Sequence, residues 1–178
     1  SELVATARAA QSVLAQSAHD MRCAALTAAA AQIRAHGDTI LAHNRTDLER
    51  GAANGLTAAF IDRLTLNDSR IEAMAAGLET IATLDDPLGR ELARWQRPNG
   101  LDIARVSTPL GVIGVIYESR PNVTVDAAGL CLIAGNAVIL RGGSDSSATS
   151  AFLGELVGNG LEAAGLPRGS VQIVPTSD

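Results

Sequence analysis

The sequence predicts an α/β protein in which a helical N-terminal segment leads into the first βαβαβ half of a parallel-sheet domain. Two apolar runs, Val112–Tyr117 and Ala137–Leu140, each stop at a polar or glycine-rich turn that opens a helix. Such continuous runs are typical of parallel strands buried on both faces. Before them, about ninety alanine-rich residues carry their larger apolar side chains at helical spacing.

The helical segment divides at recognisable breaks. Helices are predicted at Val4–Ala18 and Met21–Ala35, with His36-Gly37 ending the second. Asn67 is a plausible N-cap for a further helix that ends near Leu84. One apolar stripe runs along that helix and consists of Ile71, Met74, Leu78 and Ile81.

The architecture changes after residue 90. Trp95–Gly100 reads as a turn, and Leu101–Ser107 suits an exposed or edge strand. Parallel strands are then predicted at Val112–Tyr117, Ala137–Arg141 and Val171–Val174, with crossover helices at Val123–Ala134 and Ser146–Ala164. Gly135-Asn136 and Gly165-Leu166-Pro167 are the expected C-terminal stops of those two helices.

This pattern divides the chain into a helical part over residues 1–100, a bridging strand over 101–110 and a parallel-sheet part over 111–178. A third helix ought to begin at Pro175–Asp178, and three strands alone would leave one sheet face poorly covered. We therefore expect the chain to be the leading part of a larger protein.

Composition excludes several classes of function. The net charge is −5 over 178 residues, without lysine or any basic cluster, which argues against nucleic-acid binding. No apolar run approaches the roughly 20 residues that span a bilayer, and the N-terminus does not resemble a signal peptide. Cys23 and Cys131 are isolated, so we expect no metal site, no disulfide and a cytoplasmic location.

The first candidate site is the turn Arg141-Gly142-Gly143-Ser144. Glycines admit a ligand close to the backbone, and the amides at the following helix start suit a phosphate or ribose, with Arg141 adding charge. The alternative is an ordinary turn capped by Ser144, Asp145 or Ser146. The usual dinucleotide fingerprint is absent, because the only comparable glycines precede or lie inside a strand.

The second candidate site is the turn Glu118–Asn122. Arg120 could hold a phosphate or carboxylate, and the side-chain amide of Asn122 could donate to a developing oxyanion. The alternatives make Asn122 a plain N-cap, Arg120 a surface residue and Glu118 a salt-bridge partner.

The thiols and imidazoles do not look catalytic. Cys131 lies mid-helix among leucines and isoleucine, and free cysteine usually packs as a small hydrophobe. We interpret Cys23 in the same way, and expect surface or capping roles for His19, His36 and His43.

Taken together, these segments resemble the γ-glutamyl phosphate reductases, or glutamate-5-semialdehyde dehydrogenases, of the aldehyde dehydrogenase superfamily. The run Y-E-x-R-P-N-V-T-V-D is specific among relatives of that superfamily. The strong matches are Pro109–Glu118, Arg120–Asp126 and Gly135–Gly143, with weaker ones at Asn54-Gly55-Leu56, Asp62-Arg63-Leu64 and Gly165-Leu166-Pro167. The resemblance implies an aldehyde-dehydrogenase-like fold with a Rossmann-like cofactor domain.

It also implies NADPH-dependent reduction of L-glutamyl 5-phosphate to glutamate 5-semialdehyde and phosphate, a step of proline biosynthesis. In that family a cysteine thiolate attacks the acyl phosphate, and the resulting thioester accepts a hydride from NADPH. Asn122 resembles the family's oxyanion donor, and with Arg120 it is expected to bind substrate.

By the same resemblance, Tyr117, Glu118, Ser119 and Pro121 line the nicotinamide half of the cofactor. Arg141, Gly142, Gly143 and Ser144 lie along the adenosine ribose. Leu101–Thr108 resembles part of the hairpin that joins subunits, so a homo-oligomer is expected.

Two departures from the family matter. Neither cysteine matches the family nucleophile, which belongs to a later domain, so this chain alone should be inactive. Ser144, followed by Asp145, stands where relatives often carry a lysine that pairs with the 2′-phosphate of NADP, which predicts weak discrimination between NADPH and NADH. A non-catalytic nucleotide-binding or assembly module, and a general aldehyde dehydrogenase, remain the alternatives.

Overall fold

A computed structural model describes residues 2–175, in which seven α-helices and five β-strands follow one another. The helices are α1 (Glu2–Leu14), α2 (His19–Ala35), α3 (Gly37–Ala53), α4 (Ala58–Leu64), α5 (Asp68–Ala82), α6 (Pro121–Ile133) and α7 (Ser147–Ala163). The strands are β1 (Glu91–Gln96), β2 (Asp102–Val106), β3 (Val112–Ile116), β4 (Ala137–Arg141) and β5 (Val171–Ile173). The third helix is predicted to begin within residues 175–178, of which 176–178 lie outside the described part.

The helical segment forms largely as its sequence predicts. Helix α2 ends at the predicted break, where His36 lies between α2 and α3. The N-cap is confirmed, because the Asn67 side chain accepts a 2.8 Å hydrogen bond from the Arg70 amide. Helix α1 ends at Leu14, four residues earlier than predicted.

The core lies where α2, α5, α6 and α7 pack together and against the sheet. Leucine and isoleucine side chains at its centre are fully buried, and alanines and glycines let the helices approach closely. Gly160 of α7 faces the backbone of α2, where an added Cβ would lie 2.6 Å from the Ala29 nitrogen. The core therefore depends on small residues as much as on large ones.

The main sheet has three parallel strands in the order β3-β4-β5. Val112 pairs with Ala137 and Val138 pairs with Val171, so the carboxyl ends of the strands share one edge. This confirms the predicted βαβαβ unit, with strand ends within one residue of expectation. The predicted stops are confirmed as well, since Gly135 and Gly165 have φ of 69° and 73°, which favours glycine.

A separate two-stranded sheet corrects the prediction for residues 91–100. Strands β1 and β2 form an antiparallel hairpin in which Trp95 pairs with Ile103. The predicted turn over Trp95–Gly100 is therefore too long by two residues, since β1 runs to Gln96. Strand β1 carries two charged residues and is mostly exposed, so it shows little of the alternation from which strands are predicted.

Candidate functional site

The two predicted turns meet at the carboxyl edge of the main sheet. The Tyr117 amide donates to the Arg141 carbonyl at 3.1 Å, which extends the β3–β4 pairing into the turns. A Cβ at Gly142 would lie 3.1 Å from the Tyr117 ring, and one at Gly143 would collide with the Ser119 hydroxyl. The glycines are thus required for the turns to touch one another.

The first turn leads into α6 and exposes Asn122. Ser119 and Pro121 are buried, whereas Glu118 and Arg120 are exposed and form a loose ion pair of 3.6 Å. Helix α6 begins at Pro121, two residues before its predicted start, because proline suits the first helical position. The N-cap position belongs to Arg120, so the interpretation of Asn122 as a plain N-cap is wrong.

Tyr117 lies half-buried behind this turn. Its hydroxyl and that of Thr124 are 2.6 Å apart, which ties the end of β3 to the first turns of α6. Asn122 donates from Nδ2 to Asp126 Oδ2 at 3.3 Å. The exposed carboxamide is therefore held in place by a residue one turn further along the same helix.

The second turn leads into α7, but the start of that helix is not free for a ligand. Ala148 and Thr149 donate their amides to the Asp47 carboxylate at 3.2 and 2.8 Å, and the Thr149 hydroxyl donates at 2.6 Å. Asp47 comes from α3. Ser146 occupies the N-cap position of α7 but its side chain makes no capping hydrogen bond, so the alternative of a turn capped by the side chain of Ser144, Asp145 or Ser146 is wrong. A phosphate at this turn must use other donors than those two amides.

Sequence reasoning missed this buried group on α3. Asp47 and Asn44 are buried, although they stand in what reads as a charged, solvated stretch. Asn44 donates to the Leu64 carbonyl and accepts from the Leu66 amide, so it positions the loop between α4 and α5. Helical spacing could have identified these residues as buried, since Asn44, Asp47 and Gly51 lie on one face of α3.

A first cavity, the Asn122 pocket, has a volume of about 500 Å³ and lies between the α4–α5 region and the start of α6. It contains side chains of both charges. Burial raises the pKa of Asp126, and the hydrogen bond from Asn122 opposes that rise. The lining residues are Asp62, Arg63, Thr65, Leu66, Arg70, Ala73, Met74, Arg120, Asn122, Val123 and Asp126.

A second cavity, the Gly143 pocket, has a volume of about 380 Å³ and lies along the start of α7. It is lined by Arg50, Gly142, Gly143, Ser147, Ala148, Ser150, Ala151, Ile173, Val174 and Pro175. Arg50 forms an ion pair with Asp47 and donates to the Ser147 hydroxyl at 3.0 Å. This guanidinium was not among the predicted site residues, and it gives the pocket a cation.

The predicted site residues thus fall into four groups. Asn122 and Arg120 line the first cavity, and Gly142 and Gly143 line the second. Tyr117, Ser119 and Pro121 are packed behind and between the turns. Glu118, Arg141 and Ser144 are exposed at the same edge of the sheet. Their roles toward substrate and cofactor stay predictions.

Neither cysteine lines either cavity. Burial raises the pKa of the Cys131 thiol, and burial with the nearby Asp20 raises that of Cys23, so both thiols stay protonated near neutral pH. Both pack against the hydrophobic core, as predicted. No group of side chains within residues 2–175 could hold a metal ion, and no helix there is long and apolar enough to cross a membrane.

The aldehyde dehydrogenase family model matches residues 1–178. A protein from Brucella anthropi named gamma-glutamyl phosphate reductase is 57% identical over 173 residues, which is 97% of this chain and 40% of that protein. One from Rhodospirillum rubrum with the same name is 58% identical over 172 residues, again 97% of this chain and 40% of the relative. The chain thus spans about 40% of the length of these curated relatives.

Solved structures agree with this result. The gamma-glutamyl phosphate reductase of Thermotoga maritima matches 99% of this chain and 43% of its own, with a TM-score of 0.96 and 37% identity. The enzyme of the same name from Saccharomyces cerevisiae gives a TM-score of 0.92 and 30% identity over 99% of this chain and 46% of its own. A benzaldehyde dehydrogenase from Corynebacterium glutamicum, at 21% identity and a TM-score of 0.74, shares the fold.

Proposed function

Because the chain belongs to the aldehyde dehydrogenase family, we propose that the protein containing it reduces L-glutamyl 5-phosphate to L-glutamate 5-semialdehyde and phosphate with NADPH, a step of proline biosynthesis. Family membership implies a nicotinamide cofactor. The choice of substrate is supported by the name that relatives at 56–58% identity carry. The observation that carries the proposal is Asn122, an oriented amide between a charged pocket and the glycine turn.

Asn122 is the group on this chain suited to the reacting carbon. Its Nδ2 has two hydrogens, and Asp126 accepts one of them. The other can donate to the oxygen that becomes negative when the acyl carbon turns tetrahedral. Asp126 fixes the amide before the reaction, so little reorganisation is needed when charge develops.

The Gly143 pocket fits the adenosine side of the cofactor. Its floor is made of glycine, alanine and serine, which leave room for a ribose, and Arg50 and the exposed Arg141 add positive charge at this edge. When bound, NADPH would supply the hydride to the acyl carbon. Tyr117, Ser119 and Pro121 shape the wall between this pocket and Asn122, so they are proposed to face the nicotinamide half.

Three further features are proposed for the whole protein. The nucleophilic cysteine would come from outside this chain, since Cys23 and Cys131 are packed and line neither cavity. A homo-oligomer is supported by the exposed apolar residues on the β1–β2 hairpin. A cytoplasmic location stays a prediction that accords with the two unpaired thiols in the described residues.

The test is phosphate-dependent oxidation of glutamate 5-semialdehyde with NADP by the full-length protein. Asn122→Ala should lower kcat by roughly 10²–10³-fold, the usual effect of losing one oxyanion donor. Asn54→Ala, at an exposed helix end, should leave kcat unchanged. An enzyme that oxidises simple aldehydes without phosphate would instead be a general aldehyde dehydrogenase, and an inactive protein would contradict the proposal altogether.

A further inference from the structure

We propose that the Asn122 pocket recognises the head group of an α-amino acid, with Asp126 binding the substrate's ammonium group and Arg63 its α-carboxylate. This inference rests on the proposed function, because it concerns the part of the same substrate that does not react. It gives a role to the aspartate that ends the Y-E-x-R-P-N-V-T-V-D run and to the arginine of Asp62-Arg63-Leu64.

Asp126 is a carboxylate placed to receive a cation. It is half-buried in the pocket wall and takes part in no ion pair within the described residues. Gly77 of α5 leaves space beside it, since even an added Cβ there would stay 3.8 Å from Asp126 Oδ1. Burial raises its pKa, so an incoming ammonium group would stabilise the charged form.

The arginines of the pocket differ in how far they are already engaged. Arg70 donates to the carbonyl oxygens of Asp62 and Thr65 at 2.6 and 2.5 Å, which holds the α4–α5 loop. Arg120 is paired loosely with Glu118. The Arg63 side chain makes no hydrogen bond or ion pair in the part of the chain that the structure describes, so its guanidinium can donate to a ligand carboxylate.

The spacing along α6 fits the proposed substrate. Asp126 follows Asn122 by four residues on the same face of α6, so its carboxylate lies beside the Asn122 amide, with Asn122 Nδ2 and Asp126 Oδ2 3.3 Å apart. In an extended glutamyl group, four bonds separate the reacting carbon from the ammonium nitrogen, a distance of about 5 Å. A substrate whose reacting oxygen meets Asn122 can therefore bring its ammonium group to Asp126.

The test compares two aldehydes in the full-length protein: glutamate 5-semialdehyde and glutarate semialdehyde, which has the same skeleton without the ammonium group. Asp126→Asn should lower kcat/KM for the first by roughly 10–100-fold, the effect of losing one charged hydrogen bond. For the second aldehyde the same variant should lower kcat/KM by a smaller factor, because there only the hydrogen bond that holds Asn122 is altered. The ratio of kcat/KM for the first aldehyde to that for the second should therefore fall by at least about tenfold in Asp126→Asn. The two aldehydes differ in how far they cyclise or hydrate in solution. Each variant is therefore compared with wild type on the same aldehyde, so that this difference cancels.

Arg63→Gln tests the second proposed contact and should affect the two aldehydes differently from Asp126→Asn. Both aldehydes carry the carboxylate, so this variant should lower kcat/KM for both by a similar factor. Asp20→Asn, an exposed aspartate on α2, is the control for a carboxylate-to-amide change and should alter neither. Circular dichroism of each variant separates these effects from loss of fold.

Three results would overturn the assignment. If Asp126→Asn lowers kcat/KM for both aldehydes by the same factor, Asp126 only positions Asn122. If the variant changes kcat/KM for neither aldehyde, the carboxylate does not contact the substrate. If the wild-type protein proves inactive, the proposed reaction fails, and calorimetry with L-glutamate and glutarate then decides the pocket separately. Binding of L-glutamate at least tenfold tighter than glutarate, lost in Asp126→Asn, supports the assignment, and equal or absent binding overturns it.

Discussion

Asp47 fixes the start of α7 from a different helix. Its carboxylate is fully buried, accepts three hydrogen bonds from Ala148 and Thr149, and is paired with Arg50. The positive end of the α7 dipole is thereby neutralised inside the protein. The glycine turn that precedes α7 is in consequence held rigidly against the helical segment.

Asp47→Ala should lower the free energy of unfolding by about 3–5 kcal/mol, because it leaves buried donors unpaired and an arginine without its partner. Glu49→Ala, an exposed change two residues further along the same helix, should stay within about 0.5 kcal/mol of wild type. Urea denaturation of the full-length protein, followed by circular dichroism, measures both. An effect of Asp47→Ala as small as that of the control would show that water replaces the lost bonds.

Ser144 is the residue on which the predicted preference between NADPH and NADH depends. It is exposed at the start of the 3₁₀ turn Ser144–Ser146 and offers no positive charge, and Asp145 follows it. Arg50 supplies a guanidinium to the Gly143 pocket, but Asp47 already compensates much of that charge. We therefore keep the expectation that wild type prefers NADPH over NADH by less than about a hundredfold, under 3 kcal/mol.

Ser144→Lys should raise the NADPH-over-NADH ratio of kcat/KM by roughly 5–30-fold, as expected for about 1–2 kcal/mol from one charge-assisted bond to the 2′-phosphate. Ser144→Gln, similar in length but neutral, should leave the ratio unchanged. Steady-state kinetics of the full-length enzyme with both cofactors measure it. Equal ratios in the lysine and glutamine variants would mean that the 2′-phosphate lies elsewhere.

At the scale of elements, the contact between α2 and α7 determines how closely the helical segment approaches the sheet. Gly160 faces the backbone of α2, and an added Cβ would lie 2.6–2.7 Å from atoms of Ala25 and Ala29. Backbone atoms cannot rotate away as a side chain can, so the helices must separate to admit even a methyl group.

Gly160→Ala should therefore destabilise the protein by roughly 2–3 kcal/mol, although alanine is the better helix former. Gly37→Ala, also in a helix but with nothing within 4 Å of an added Cβ, should be neutral or slightly stabilising. Thermal unfolding of the two variants gives opposite signs if packing, rather than helix propensity, dominates at Gly160. If both variants change the stability in the same direction, packing does not dominate at Gly160.

Prediction from sequence succeeded for elements whose signal is local. The strands β3 and β4, the glycine stops at Gly135 and Gly165, and the Asn67 cap each depend on residues adjacent in the chain. It failed for Asp47, whose partners lie a hundred residues away, and for β1, whose side chains are mostly exposed. The two turns were predicted individually, whereas the cavities beside them, with Arg50 and Asp126, arise only from tertiary packing.

At the scale of the whole molecule, one buried arginine connects the helical segment with the chain that leads to the hairpin. Arg22 of α2 donates to the Ile133 carbonyl at the end of α6 and, by two bonds of 2.8 and 2.9 Å, to the Asp86 carboxylate. Its Nη1 donates to the Ser17 carbonyl at 2.6 Å. The hairpin base is thus anchored to the core, although the hairpin itself is largely exposed.

The hairpin beyond that anchor has an apolar face and a polar one. Trp95 and Ile103 pair across the strands on one face with Leu101 beside them, and Trp95 and Leu101 are 44% and 58% exposed. The opposite face carries Arg94 in ion pairs with Glu91 and Asp102. A two-stranded sheet is marginally stable alone, and its open edges favour pairing with another chain.

If the full-length protein forms the homo-oligomer proposed above, Trp95→Glu should convert it into smaller species, because the substitution places a charge in the apolar face that a second copy would cover. Gln96→Glu introduces the same charge one residue further on, where the side chain points to the polar face, and should leave the assembly intact. Sedimentation velocity across a concentration series distinguishes the two. If both variants sediment like wild type, the apolar face must be covered by the same polypeptide rather than by a neighbouring subunit.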